Sequence, residues 1–138
     1  MHTQSRGFTL IELLVVIAII GLLASIVVAS LSATQARARD ARRMQDIDSI
    51  KKALVLYSAD NGGFPVSVST TTLTGADAVS TALVSSNSIP GVPLDPKNPT
   101  YTYTYSTNAS GNTFILSFCL ETTSINNYAQ GCGNNVSI

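Results

Sequence analysis

With 138 residues, the chain has room for one small domain plus one long additional element. Its eight basic and eight acidic residues cancel, and charged residues make up only 12% of the chain, so no global field points to nucleic acid or an acidic substrate. One histidine, His2, and two cysteines are too few for a four-ligand structural zinc site.

The chain opens on a short polar stretch ending in Arg6-Gly7, and an apolar run starts abruptly at Phe8. One carboxylate, Glu12, interrupts that run near its start, and no residue from Leu13 to Gln35 carries a charge. As a helix, Leu13 to Gln35 is about 34 Å long, enough to cross a hydrocarbon core of roughly 30 Å. A plain membrane anchor explains the length but not Glu12, since a carboxylate inside a membrane segment costs on the order of 3 kcal/mol and is usually paired or functional. A secretory signal peptide fits poorly: the run exceeds the usual apolar region of about 7–15 residues, and Glu12 lies inside it. Ser30-Leu31-Ser32-Ala33 offers a weak cleavage site, whereas Gly7-Phe8 is the better processing point.

Arg6-Gly7-Phe8-Thr9-Leu10-Ile11-Glu12-Leu13 and the run that follows resemble the class III signal of type IV pilins and the related pseudopilins, from Arg6 to Ser25. The resemblance implies that a prepilin peptidase cuts after Gly7 and methylates the new amine of Phe8. It also implies that Glu12 serves filament assembly and that the chain is oriented N-in, C-out. Ala29 is a departure, because many members carry proline there.

Past the span, Arg37, Arg39, Arg42 and Arg43 are interleaved with Asp40, Asp46 and Asp48. A basic cluster beside a membrane can recognise anionic lipid. A solvated or subunit-contact helix face is the preferred reading. Met44, Ile47, Ile50, Leu54 and Tyr57 recur at three- and four-residue spacing, which places them on one helical stripe. Arg42/Asp46, Asp40/Arg43, Asp48/Lys51 and Asp48/Lys52 stand at pairing distance along that helix. Asn61-Gly62-Gly63 ends it and Pro65 prevents its resumption, so one helix is expected from about Phe8 to Asp60.

Val66 to Asn98 reads as a Ser/Thr-rich connector with a short helix from Ala76 to about Val84, and an O-glycosylated surface is the less favoured alternative. The connector closes on the proline-rich bend Pro90-Gly91-Val92-Pro93-Leu94-Asp95-Pro96. This bend and Asn61-Gly62-Gly63-Phe64-Pro65 are similar to the layout of pseudopilins and pilins. Tyr101-Thr102-Tyr103-Thr104-Tyr105 alternates as a strand with one buried face, expected to cover the helix stripe. Thr113 to Glu121 is its partner, and a third short strand is expected near Asn135-Val136-Ser137. The expected fold class is α+β, a long helix packed on a small antiparallel sheet. Residues 1–7 form a leader, 8–36 the apolar helix and 37–138 the globular domain.

Cys119 and Cys132 are expected to form a disulfide in an oxidising compartment, with two free buried thiols as the alternative. A disulfide bounding a C-terminal loop is familiar from pilins, and the resemblance thereby favours a pilin over a pseudopilin. Asn108-Ala109-Ser110 and Asn135-Val136-Ser137 match the short N-glycosylation triplet. No Ser/His/Asp set, Cys/His set, phosphate-cradling loop or paired carboxylates suggest catalysis, and no cofactor is expected. The resemblance implies calcium in the C-terminal region of major pseudopilins. Asp77, Asp95 and Glu121 are the conceivable ligands, too scattered to assign as a metal site.

The leading expectation is a structural subunit stored in the cytoplasmic membrane, cut after Gly7 and polymerised through its apolar helix into a pilus-like surface filament. Its partners would be copies of itself, the prepilin peptidase, the assembly machinery and, before assembly, membrane lipid. The first alternative is a pseudopilin of a secretion or DNA-uptake machine, in a periplasmic pseudopilus. The second is a membrane-anchored extracytoplasmic binding domain that never polymerises, which would need neither Glu12 nor the Gly7-Phe8 junction.

Overall fold

The computed structural model describes residues 7–138, so of the expected leader only Gly7 is described. The chain divides into two units, Met1–Gln35 and Ala36–Ile138. Helix α1, Leu10–Asn61, contributes to both.

In the first unit every described side chain from Gly7 to Gln35 is exposed, including Leu10, Leu13, Leu14, Ile17 and Ile20. This is one helix long and apolar enough to cross a membrane by length and composition. Two of its hydroxyls bond within the helix: Ser25 Oγ donates to the Leu22 carbonyl at 2.7 Å and Thr34 Oγ1 to the Ser30 carbonyl at 3.0 Å. Such back-bonding lets Ser and Thr sit in an apolar environment without stranding a polar group.

The second unit has its own core. Ile47, Ile50 and Leu54 of α1 are buried and Met44 and Tyr57 partly so, as the stripe requires. Over them lies a four-stranded antiparallel sheet in sequential order: β1 Thr71–Thr72, β2 Thr104–Thr107, β3 Phe114–Leu120 and β4 Gly131–Ser137. Tyr103, Tyr105, Phe114, Leu116, Phe118 and Leu120 fill its inner side. Helix α2, Ala78–Ser85, adds Val79 and Leu83, and the Asp77 side chain accepts from Ser80 N to cap it. Gly111, in the β2–β3 turn, has φ +67, and a Cβ there would lie 3.0 Å from the Phe64 carbonyl oxygen. Only glycine suits that place, where Phe64 N donates to the Gly111 carbonyl at 2.8 Å.

Several details differ from expectation. β2 begins at Thr104, and Tyr101 stands outside the sheet beside Arg43 and Lys97. β4 is a full seven-residue strand, and β1 was not anticipated. Asp40–Arg43 and Asp48–Lys52 close as ion pairs. Asp46 instead accepts from Tyr103 Oη at 2.9 Å. The arginine cluster is not simply a solvated face. Arg37 and Arg42 are exposed, but Arg43 is 0% exposed and Arg39 half-buried, because their carboxylate partners lie on the domain side of the helix.

Candidate assembly site

Phe8, 86% exposed, and Glu12 lie at the mouth of the apolar helix, which starts at Leu10 with Thr9 as its cap. Thr9 N and Thr9 Oγ1 both donate to Glu12 Oε2, at 2.8 and 2.7 Å, and Glu12 N donates to Thr9 Oγ1 at 3.3 Å. This reciprocal Thr-x-x-Glu arrangement is a capping box, which satisfies donors that a helix start leaves open. Its spacing is legible in Thr9-Leu10-Ile11-Glu12, and it gives Glu12 a local role beside the assembly role that the resemblance implies. The capping box locks the side chain in one orientation. Both Thr9 donors converge on Oε2, and among the described residues Oε1 has no protein donor.

The second constellation lies in the Ala36–Ile138 unit around Arg43. Arg43 Nε and Nη2 donate to Asp95 Oδ2 and Oδ1 at 2.7 and 3.0 Å, a bidentate pair. Arg43 Nη1 donates to Asp40 Oδ1 at 2.7 Å and to Glu121 Oε1 at 2.8 Å. Glu121 also accepts from Arg39 Nε and Nη2, both at 2.7 Å, and from Lys97 Nζ at 3.3 Å. Asp40 in turn accepts the backbone N–H groups of Glu121 and Thr122 and the Thr122 hydroxyl, at 2.9, 2.8 and 2.7 Å. The guanidinium carbon of Arg43 lies 5.2 Å from the Tyr101 ring centroid. Three cations thus face three carboxylates drawn from α1, the proline-rich bend and the end of β3.

The hydrogen bonds from Arg39, with those from Arg43 and Lys97, hold the Glu121 carboxyl down to about 2 against burial. Burial would raise Asp40, but the bonds from Thr122, Glu121 N and Arg43 outweigh it and its pKa is lowered. Burial opposes the charge of Arg43 too, and its bonds to Asp95, Glu121 and Asp40 keep it raised. Burial raises Tyr103, as does its bond to Asp46.

Cys119 and Cys132 face each other across β3 and β4 and are joined by a disulfide. The loop it bounds is also held by Asn134, whose side chain accepts from Ala129 N at 2.9 Å and donates to the Ala129 and Gly131 carbonyls at 2.8 and 3.0 Å. Tyr128 packs edge-on against Phe118, ring centroids 5.1 Å apart.

The calcium suggested by resemblance does not fit these residues. Calcium takes about six to eight oxygens, carboxylates prominent among them. Glu121 is the only carboxylate from β3 to Ile138, and both its oxygens carry cationic donors. Asp95 is taken by Arg43 and Lys97 N, while Asp77 lies apart, occupied by Ser80 and Thr74. Among the described residues, no group of three or more His, Cys, Asp or Glu is placed to hold a metal.

Comparison with known proteins gives two family matches. Residues 2–28 match a prokaryotic N-terminal methylation motif, and residues 30–127 match type II secretion system (T2SS) protein G. The type II secretion system core protein G of Escherichia coli (strain K12) is 44% identical over 62 residues, covering 45% of this chain and 43% of that protein. The Pectobacterium carotovorum subsp. carotovorum protein of the same description is 44% identical over 62 residues, 45% of this chain and 40% of its own length. That of Aeromonas hydrophila is 41% identical over 76 residues, covering 55% and 50%. The chain spans about half the length of the curated relatives it matches. No solved structure matches it.

Proposed function

Because this chain belongs to the type II secretion system protein G family, we propose that it is a pseudopilin subunit, held in the membrane until it is cut after Gly7 and polymerised through α1. The observation that carries this reading is the pairing of a methylation motif over 2–28 with a protein G match over 30–127. The pseudopilin alternative is therefore favoured over the surface pilus that leads the sequence reading. The Cys119–Cys132 disulfide, which by resemblance pointed to a pilin, does not separate the two.

In the proposed mechanism, lipid covers the exposed side chains of residues 8–35 before assembly. Removal of the leader gives Phe8 a free amine, cationic at neutral pH even if singly methylated. In the filament, neighbouring apolar helices replace lipid around Leu10, Leu13, Leu14, Ile17 and Ile20. Glu12 then meets the Phe8 amine of an adjacent subunit, its orientation already set by Thr9. Packing area supplies most of the association, and the ion pair fixes axial register, because a misplaced subunit strands a charge in an apolar core.

The test is deletion of the chain in its native host, followed by assays of protein export and of surface filaments. Lost export with surface filaments intact supports the pseudopilin; lost surface filaments with export intact supports the pilus reading. Intact-mass measurement on assembled subunits should give a chain starting at Phe8, and retained Arg6 would contradict the processing step.

A further inference from the structure

We infer that the C-terminal segment of this domain is held in place by the guanidinium of Arg43, acting where a divalent cation would otherwise be needed, so that the fold is indifferent to calcium. The inference does not depend on the pseudopilin reading. It rests on where Arg43 sits and on what its neighbours have left to give.

A structural cation gathers carboxylates from segments distant in the chain and fixes the loops that carry them. Arg43 does this from a fully buried position. It joins Asp40 one helical turn away, Asp95 in the proline-rich bend and Glu121 at the end of β3. A planar guanidinium suits the task, since its fork engages Asp95 bidentately while Nη1 reaches Asp40 and Glu121. Asp40 then passes the constraint on through the N–H groups of Glu121 and Thr122, the first residues after β3. The disulfide and Asn134 hold the other side of the same loop.

Charge balance argues against an additional metal. Arg39, Arg43 and Lys97 offset Asp40, Asp95 and Glu121, and every buried side-chain nitrogen and oxygen among the described residues has a hydrogen-bond partner. A calcium ion at these carboxylates would have to displace a guanidinium that is itself buried and would leave it uncompensated. The segment Thr122–Gln130 adds no carboxylate of its own.

The test uses the full chain in detergent, with calcium chloride or EGTA as the only variable. Thermal unfolding is followed by the near-ultraviolet signal of the tyrosines, and amide exchange is measured at Glu121 and Thr122. The expected midpoint is the same in calcium and in EGTA to within about 1 °C. A site filled at a hundredfold over its dissociation constant would raise it by about 10 °C or more in a domain of this size. Arg43→Lys keeps the charge but loses the fork. It should lower the midpoint, speed exchange at both amides and gain nothing from calcium. If Arg43→Lys fails to fold, Arg39→Gln, which loosens only Glu121, should show a smaller loss with the same indifference to calcium. A calcium-dependent rise in the wild-type midpoint, or an Arg43→Lys domain as stable and as protected as wild type, overturns the inference.

Discussion

The first and last acidic residues of the chain, Glu12 and Glu121, stand in opposite surroundings. Glu12 sits in the first unit, where every described apolar side chain is exposed, and among the described residues it is bonded only to Thr9 beside it at the helix start. Glu121 is ringed by Arg39, Arg43 and Lys97, with one of its oxygens shared between two arginines' reach. The Ala36–Ile138 unit therefore settles its buried charges internally. The Met1–Gln35 unit presents apolar surface and a carboxylate that the proposed mechanism pairs with the amine of a neighbouring subunit. Substitutions in one region should accordingly unfold a domain, and substitutions in the other should leave the domain folded and stop its assembly.

The largest effect on the internal side is expected from Asp95→Ala. The Asp95 side chain is fully buried, and its loss leaves Arg43 without its bidentate partner. Removing one member of a buried pair costs about 3–5 kcal/mol. Thermal unfolding of the full chain should move down by 10 °C or more, on the order of 4–8 °C per kcal/mol for a domain this small. Processing after Gly7 should be unaffected.

Replacing Cys119 and Cys132 together by serine should come next, since closing so short a loop is worth about 3 kcal/mol in the chain-entropy model. Limited proteolysis should then cut within residues 122–130, while β2 and β3 stay protected. Uncut loops at unchanged stability would mean that Asn134 and Asp40 suffice to hold the segment.

Acid should act more gradually and on the internal side first. Glu121 has a folded pKa near 2 against an ordinary value of 4.5, so the folded domain binds fewer protons than the unfolded chain between those values. Its stabilising contribution is full above about pH 4.5 and is lost as pH falls toward 2. The lowered Asp40 works in the same direction, while Asp46, raised by burial, opposes it. Thermal midpoints measured from pH 7 to 2 should fall mainly below 4.5, and Glu121→Gln should flatten that fall.

Much of the architecture was legible in the sequence, because local periodicity wrote it there. The Met44–Tyr57 stripe, the caps at Asn61-Gly62 and the alternation through Tyr103 and Tyr105 each depend on neighbours a few positions away. Two-residue β1 has no periodicity to detect. β4 contains Gly131, Gly133, Asn134 and Asn135, poor strand formers, and it owes its pairing to β3, the disulfide and the Asn134 side chain. Arg43 was misjudged for a related reason. Of its three carboxylate partners only Asp40 lies within helical reach, whereas Asp95 and Glu121 are 52 and 78 positions away. At Glu12 the Thr-x-x-Glu spacing is itself the local signal of the capping box that the structure shows.

The contrast between the two regions is tested most directly by Glu12→Gln in the full chain, with assembly and domain stability measured on the same preparation. Glutamine keeps the shape and can still accept from Thr9, but it carries no charge to meet an amine. With cleavage after Gly7 verified by mass, crosslinked multimers from membranes should fall by tenfold or more, about 1.4 kcal/mol for each factor of ten. The thermal midpoint of the domain should stay where it is. Wild-type multimers from fully processed Glu12→Gln protein, or a domain destabilised by the change, would contradict the account.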